Sequence, residues 1–572
     1  MNTPTATPQT TNTVEWHLFV PKLYTTFKHH YSFADLRHDA VAGLTVAIVA
    51  LPLAMALAIA SGTTPEKGLI TAVVAGFLIS MLGGSRFQIG GPTGAFVVVV
   101  FGVIQQHGYD GLVLATLMAG AMLIVAGLFH LGTWIKYIPE PVVTGFTAGI
   151  AVIILTSQIK DIFGLSLDQV PADFLEKVPA LWNVRETINP TNLAVALGAL
   201  ALIVGLRRYA PKVPGFLVAV VLASVVTAMA GLPIDTIGSK FGGIPSSFPM
   251  PAFPKVTLDR LWDLMPSAFT IAFLAGVESL LSAVVADSMT GRRHRSNCEL
   301  VAQGIACSAS ALFGGLPATG AIARTVTNIR SGARSPVAGM LHAVFVLMFM
   351  LVFAPLADHI PLACLAAVLV IVAWNMSDMG RFFHLMTGPW GDRAVLILTF
   401  GLTVAVDLTV AIEVGVVLGA ILFMHRMTQV VAISASGTTI IEDDADDFDR
   451  STALDASQRN ALPKGVEVFQ LRGPLFFGVA NRLADVIDSV AGSPRAFIVR
   501  MRDVPMMDAT GASKFSDFVR KCAKHRTALI ISGLQAQPES VLRQMRIIGG
   551  GAPVHLAADF AEATRIAERI TK

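Results

Sequence analysis

The sequence predicts an α-helical polytopic membrane protein with about 14 transmembrane segments in two inverted seven-helix repeats, followed by a small α/β cytoplasmic domain. Three observations predict it. The 572 residues are 53% hydrophobic and only 14% charged, with a mean hydropathy of +0.65, which excludes an ordinary soluble enzyme. The composition changes after Ser434, where charge rises and strand and helix patterns begin to alternate. A Gly-rich signature also occurs twice, in the same order relative to the surrounding spans.

A span needs about 20 apolar residues. The expected segments are 40–60, 66–82, 93–105, 111–130, 139–157, 191–206, 212–231, 266–288, 297–313, 320–330, 336–357, 360–376, 392–407 and 408–425. Two of them, 93–105 and 320–330, are too short to cross alone. The domains follow as a cytoplasmic segment 1–39, a transmembrane domain 40–430 with repeats over 40–231 and 266–426, an acidic linker 431–462 and an α/β domain 463–572. The first 30 residues show no apolar core or cleavage-like site, so no secretory signal peptide is expected. An even number of spans puts both ends on one side. The basic clusters at Arg207, Arg208 and Lys212 and at Arg292, Arg293 and Arg295 mark that side as cytoplasmic. The expected location is a bacterial inner (plasma) membrane, crossed many times. The modest net charge of +3 gives no sign of nucleic-acid binding, and the four cysteines show no metal-binding or disulfide spacing. No Walker-type loop or nucleotide fingerprint is present, and no metal or other cofactor is expected.

The repeat reads from LGGSRFQIGGPTGAF (82–96) and FGGLPATGAIARTV (313–326). A second match, IPEP at 138–141 and IPLA at 360–363, recurs at a similar offset. Seven spans per copy send the second copy into the membrane from the opposite face. That is the inverted repeat of secondary transporters, whose sites lie where discontinuous helices meet.

Each short helix starts at a Gly-rich turn. Its N-terminus leaves backbone N–H groups unpaired and carries about half a positive charge. Two such ends facing one another make an anion site. Gly91 and Gly94 allow close backbone approach, Thr93 offers a hydroxyl and Phe96 a ring, while Gly320 and Ala321 lie at the matching end. Arg324 adds a full charge one turn into the second short helix, and its fork suits carboxylate or sulfate. An ionisable group at membrane depth is costly and marks a cavity, a partner or a substrate. Two readings of Arg324 stand side by side, anion binding and an ion pair with Glu278. The glycines have the alternative use of close helix packing.

Glu278 lies mid-span with Ser282 one turn on, on the same helix face. A carboxylate in low dielectric holds its proton, and an arriving anion strengthens that hold. The pair is therefore assigned to proton coupling. A structural glutamate and a sodium site remain as alternatives, sodium being the less favoured coupling ion.

In the tail, the acidic run at 442–449 reads as a solvated linker. Strands are expected at 466–473, 496–501, 527–533 and 552–557, alternating with helices near 477–490, 511–523, 537–547 and 558–570.

The strings GGSRFQIGGPTGAFVVV, YIPEPVVTGFTAGIAVII, ESLLSAVVADSMTGRRHRSNCELVAQG and GAIARTVTNIRSGARSPVAG make the chain similar to the sulfate permease (SulP) family of anion transporters. The likeness runs from residue 35 to the C-terminus. MDATGAS (507–513) resembles the turn before a helix in the STAS domain, where Thr510 takes the place of a phosphorylated serine in anti-sigma antagonists. A plain helix-capping threonine is the other reading of Thr510. The resemblance implies core and gate subdomains, an anion held between the third and tenth helices, elevator-like motion and a homodimer. It also implies a proton-coupling acid at Glu278, where sodium-coupled bicarbonate members carry Asp, and a cationic contribution to the site from Arg324. LPLAMALAI, VAWNMS and GPLFF are most similar to the dicarboxylate-transporting members. The expected activity is proton-coupled uptake of a small inorganic or carboxylate anion, with fumarate, succinate or aspartate ahead of sulfate and bicarbonate. An uncoupled channel or exchanger, and a sensor or scaffold acting on a cytosolic partner through the STAS domain, are the competing readings. Lipid is the remaining expected partner.

Overall fold

The computed structural model describes residues 16–28, 31–133, 139–167, 170–171, 173–210, 213–245, 247–406, 408–430, 432–435, 463, 465–476, 494–549 and 554–572. They form two compact units, Met1–Gly419 and Ala420–Lys572.

The first unit opens with α1 (Lys22–Lys28) and α2 (Phe33–Ala60). Helix α2 starts earlier than the expected 40, because its polar first turn is held by a capping box between Ser32 and Asp35. One turn on, the buried Asp39 accepts hydrogen bonds from the Tyr31 hydroxyl at 2.8 Å and from the backbone N–H groups of Arg334 at 2.7 Å and Ser335 at 3.1 Å. Then come α3 (Pro65–Leu82), the two-residue strand β1 (Gly90–Gly91) and α4 (Gly94–Leu128). Gly108 interrupts α4 with φ 71° and ψ 178°, dividing it into a first arm 94–107 and a second arm 109–128. These are the two separate segments that the hydropathy pattern predicts.

Helices α5 (Glu140–Phe163), α6 (Phe174–Asn183), α7 (Pro190–Tyr209), α8 (Gly215–Ala230) and α9 (Ile237–Phe241) complete the first half. The second half comprises α10 (Leu258–Thr290), α11 (Ser296–Leu312), β2 (Thr319–Gly320), α12 (Ile322–Arg330), α13 (Val337–Ala357), α14 (Leu362–Ser377), α15 (Met379–Met386), α16 (Trp390–Ala405) and α17 (Leu408–Val430). Every one of the expected spans overlaps a helix. Among the described residues, nine helical stretches are long and apolar enough to cross a membrane by themselves.

The packing repeats with partners exchanged. The second arm of α4 lies against α10 and α11, with Gly120 at Gly304 and Ser308, and its counterpart α13 lies against α2 and α3. Likewise α5 packs on α16, and its counterpart α14 on α7. The first half thus has the same neighbours in the second half as the second has in the first, as an inverted repeat requires.

The second unit holds a five-stranded sheet in the order β3 (Ala432–Ala435), β4 (Val466–Arg472), β5 (Ala496–Asp503), β6 (Ala528–Ser532), β7 (Val554–Ala557). Strand β3 runs antiparallel to β4, and the other pairs are parallel. Helices α18 (Ala509–Lys524), α19 (Ala536–Gln544) and α20 (Phe560–Thr571) cover it. Alternate residues face opposite ways. Phe469, Phe497 and Leu529 pack with Phe515, Phe518 and Leu542, whereas Val468, Ile498 and Ile530 pack with Ala563 and Ala567. The start of the expected linker is corrected here: 432–435 (AISA) is an edge strand, too short to register as one by pattern. The acidic run at 442–449 and the helix expected near 477–490 lie outside the described residues.

Candidate functional site

Strands β1 and β2 pair antiparallel, Gly90 opposite Gly320 and Gly91 opposite Thr319. The first arm of α4 begins three residues after β1, and α12 two residues after β2. The antiparallel pairing therefore brings the two helix N-termini to the two ends of one short ribbon. Helix α12 grips the preceding segment of the first repeat. The Thr325 hydroxyl accepts from the Ile89 N–H at 3.1 Å, and the Asn328 side-chain amide donates to the Phe87 carbonyl at 2.9 Å. The Ala321 N–H donates to the Ile89 carbonyl at 2.8 Å, which commits the Ala321 donor to the fold. Thr319 donates to the Ala275 carbonyl at 3.0 Å.

Arg324 is 2% exposed. Its Nη2 donates to the Pro92 carbonyl at 3.2 Å, while Nε and Nη1 have no hydrogen-bond partner. The guanidinium lies directly against Gly91, whose φ is 153°, and a Cβ there would fall 2.4 Å from Nη1. The ion pair considered for Arg324 and Glu278 does not form. Arg324 turns back along its own helix toward β1, and Glu278 accepts a hydrogen bond from the Thr93 hydroxyl at 2.9 Å. Thr93 is the N-cap residue of α4. Because its hydroxyl serves Glu278, it makes no side-chain cap; the Phe96 N–H donates to the Thr93 carbonyl at 3.3 Å, which leaves the Gly94 and Ala95 amides as the uncapped first-turn donors.

Gly94 faces across to other helices: a Cβ would lie 3.2 Å from Met376 Sδ and 3.7 Å from Ile154 Cδ1. Phe96 is 2% exposed and belongs to the hydrophobic core. Ser282 is fully buried and bonds the Thr325 hydroxyl at 3.1 Å, joining α10 to α12. Gly320 leaves room for Gln88, whose Nε2 would be 1.9 Å from an added Cβ. That amide donates to Ser279 at 2.6 Å, and Ser279 donates to Gln303 at 3.2 Å. Nothing in the sequence pattern singles out this buried chain, the buried His342 of α13, or Met376 and Ile154. Uncharged polar and apolar side chains do not stand out within apolar spans. In the second unit, the cap of α18 is Asp508, which accepts from the Gly511 N–H at 2.7 Å. The capping reading of Thr510 is thereby corrected: the residue lies exposed within the first turn.

The profile of the sulfate permease family matches residues 36–399, and that of the STAS domain residues 461–556. The chain belongs to the sulfate permease family. Its relatives in the family include YvdB of Bacillus subtilis (strain 168), named as a candidate sulfate transporter, which is 42% identical over 517 residues covering 90% of this chain and 94% of that one. The bicarbonate transporter BicA of Picosynechococcus sp. is 32% identical over 532 residues, 90% of this chain and 92% of its own. The structure of the murine anion transporter Slc26a9 in its inward-facing state superposes with a TM-score of 0.83 at 18% identity, covering 99% of this chain and 96% of that one, a likeness of fold. As a sulfate permease family member with a STAS domain, the chain is a multi-pass membrane transporter of anions and not an enzyme.

Proposed function

We propose that this protein is a secondary active transporter that carries a small oxyanion into the cell together with a proton, across a bacterial inner membrane and with both termini cytoplasmic. The observation that carries this reading is the pairing of β1 with β2. It holds two helix N-termini and the buried Arg324 guanidinium on one spot, with two of that guanidinium's nitrogens unpartnered. Helix dipoles and a cation in low dielectric both favour negative charge.

Glu278 is the coupling acid. Its carboxylate is bonded to the residue that caps the first arm, so an anion at that helix end and a negative Glu278 oppose one another. Anion and proton therefore bind more tightly together than either alone, which is a coupling free energy by linkage. Ser282 acts indirectly, by fixing α10 to α12. Alternating access follows from a rigid β1–β2 core moving, elevator-like, past the helices that carry Ile154 and Met376. The relatives' names favour sulfate and bicarbonate, and the dicarboxylates remain a substrate class on the strength of the sequence stretches.

Reconstitution in liposomes tests this. Uptake of labelled sulfate, bicarbonate and fumarate is followed with and without an inward proton gradient. Wild-type protein concentrates at least one of them only with the gradient. Glu278→Gln keeps an acceptor for Thr93 and retains anion exchange at zero gradient, but loses the gradient response. A gradient response that survives in Glu278→Gln removes the acid from the mechanism.

A further inference from the structure

Lys177 of α6 is 3% exposed, which is rare for lysine unless it is paired. Its Nζ donates to the Ser157 hydroxyl of α5 at 3.0 Å and lies 5.5 Å from the ring centroid of Phe101 on the first arm of α4. Among the described residues no carboxylate forms an ion pair with it. Asp173, the N-cap residue of the same helix, attracts the ammonium group without forming an ion pair with it, and the hydroxyl and the ring orient it without neutralising it, so part of its charge acts outward through a medium of low dielectric.

The position of that charge gives it a use. Ser157 is one turn along α5 from Ile154, the residue that faces Gly94. Phe101 is seven residues along the first arm from Gly94, about 10 Å at 1.5 Å per residue. The ammonium group thus sits on the seam between α4 and α5, on the face of the unit that carries α6, about halfway along the helix arm whose N-terminus lies at the candidate site.

We infer that Lys177 is an entry residue for the transported anion: it attracts an oxyanion to the α4–α5 seam and passes it toward Gly94 and Arg324. This rests on the carrier reading above and adds a sided approach path to it. The purely structural role, a hydrocarbon stem fastening α6 to α5, predicts something different. Methionine would fill that role as well as lysine does.

The test uses the full chain in liposomes of known orientation, with labelled sulfate and bicarbonate as probes, each presented from the α6 face or from the opposite face. Lys177→Met keeps the stem and removes the charge. Its half-saturation concentration from the α6 face rises roughly tenfold at low ionic strength, the lower end of electrostatic focusing, and the rise shrinks with added salt. Presentation from the opposite face gives wild-type values, and Lys177→Arg behaves as wild type on both faces. An unchanged half-saturation from the α6 face in Lys177→Met overturns the inference, as do equal changes from both faces or a loss in Lys177→Arg as large as in Lys177→Met. Wild-type protein that moves neither probe brings down the carrier reading itself, and this inference with it.

Discussion

Gly91→Ala isolates the electrostatic part of the site. The added Cβ lies 2.4 Å from Arg324 Nη1 and 3.6 Å from the Ala72 Cα, so the guanidinium yields before the helix does; the φ of 153° adds a backbone strain that is the same whatever the ligand charge. Ordinary contact is near 3.5 Å, so the cation retreats about 1 Å. With an effective dielectric of about 20, withdrawing a unit charge from about 4 to about 5 Å of a monovalent anion costs about 0.8 kcal/mol, and twice that for a divalent one. Binding should weaken about fourfold for a monovalent anion and about sixteenfold for a divalent one, since 1.4 kcal/mol is tenfold. The assay is half-saturation of uptake, or displacement of a labelled substrate, by paired monovalent and divalent anions. An equal loss for both charges refutes the reasoning, because a purely steric effect of the methyl group does not scale with ligand charge. A double-mutant cycle completes it: in an Arg324→Ala background, Gly91→Ala should have little further effect.

Three other outcomes are expected. Thr325→Val leaves the buried Ile89 N–H unpaired and removes the bond to Ser282, which should destabilise the first unit by about 1–3 kcal/mol, read as a lower thermal midpoint of the full chain. Asp508→Ala removes the cap of α18 at a cost of about 1 kcal/mol, visible as faster hydrogen exchange at Gly511 and its neighbours while transport persists. Burial pushes the Cys522 thiol up to about 12, so at neutral pH it stays protonated and resists alkylation until the second unit unfolds.

Charge in an apolar setting made the central residues legible. Arg324 and Glu278 interrupt long hydrophobic runs, and a Gly-Gly pair followed by a Thr-Gly turn, found in both copies, pointed to both short helices and the duplication. What the sequence does not reveal is direction. Arg324 was free to reach Glu278 or Pro92, and only the antiparallel register of β1 and β2 sends it to Pro92. Gln88, Ser279 and Gln303 form a chain across three distant segments, and no periodicity encodes such a contact. Lys177 carries no signal in the sequence, because burial of one residue in a short helix between the expected spans leaves no local trace. The STAS-like strands emerged from their apolar runs, whereas β3 did not, having four residues and one edge to pair with.

The two-residue ribbon has a consequence for how selectivity can diverge among related proteins. A methyl group at Gly91 strikes a guanidinium, and one at Gly320 strikes a carboxamide at 1.9 Å. The floor of the candidate site is therefore closed to added side chains, and its chemistry is fixed by backbone atoms and the Arg324 guanidinium. Preference for one oxyanion over another has to be tuned from the opposing wall, at positions such as Met376 and Ile154, where a change of shape alters what fits and leaves the charge that attracts it intact.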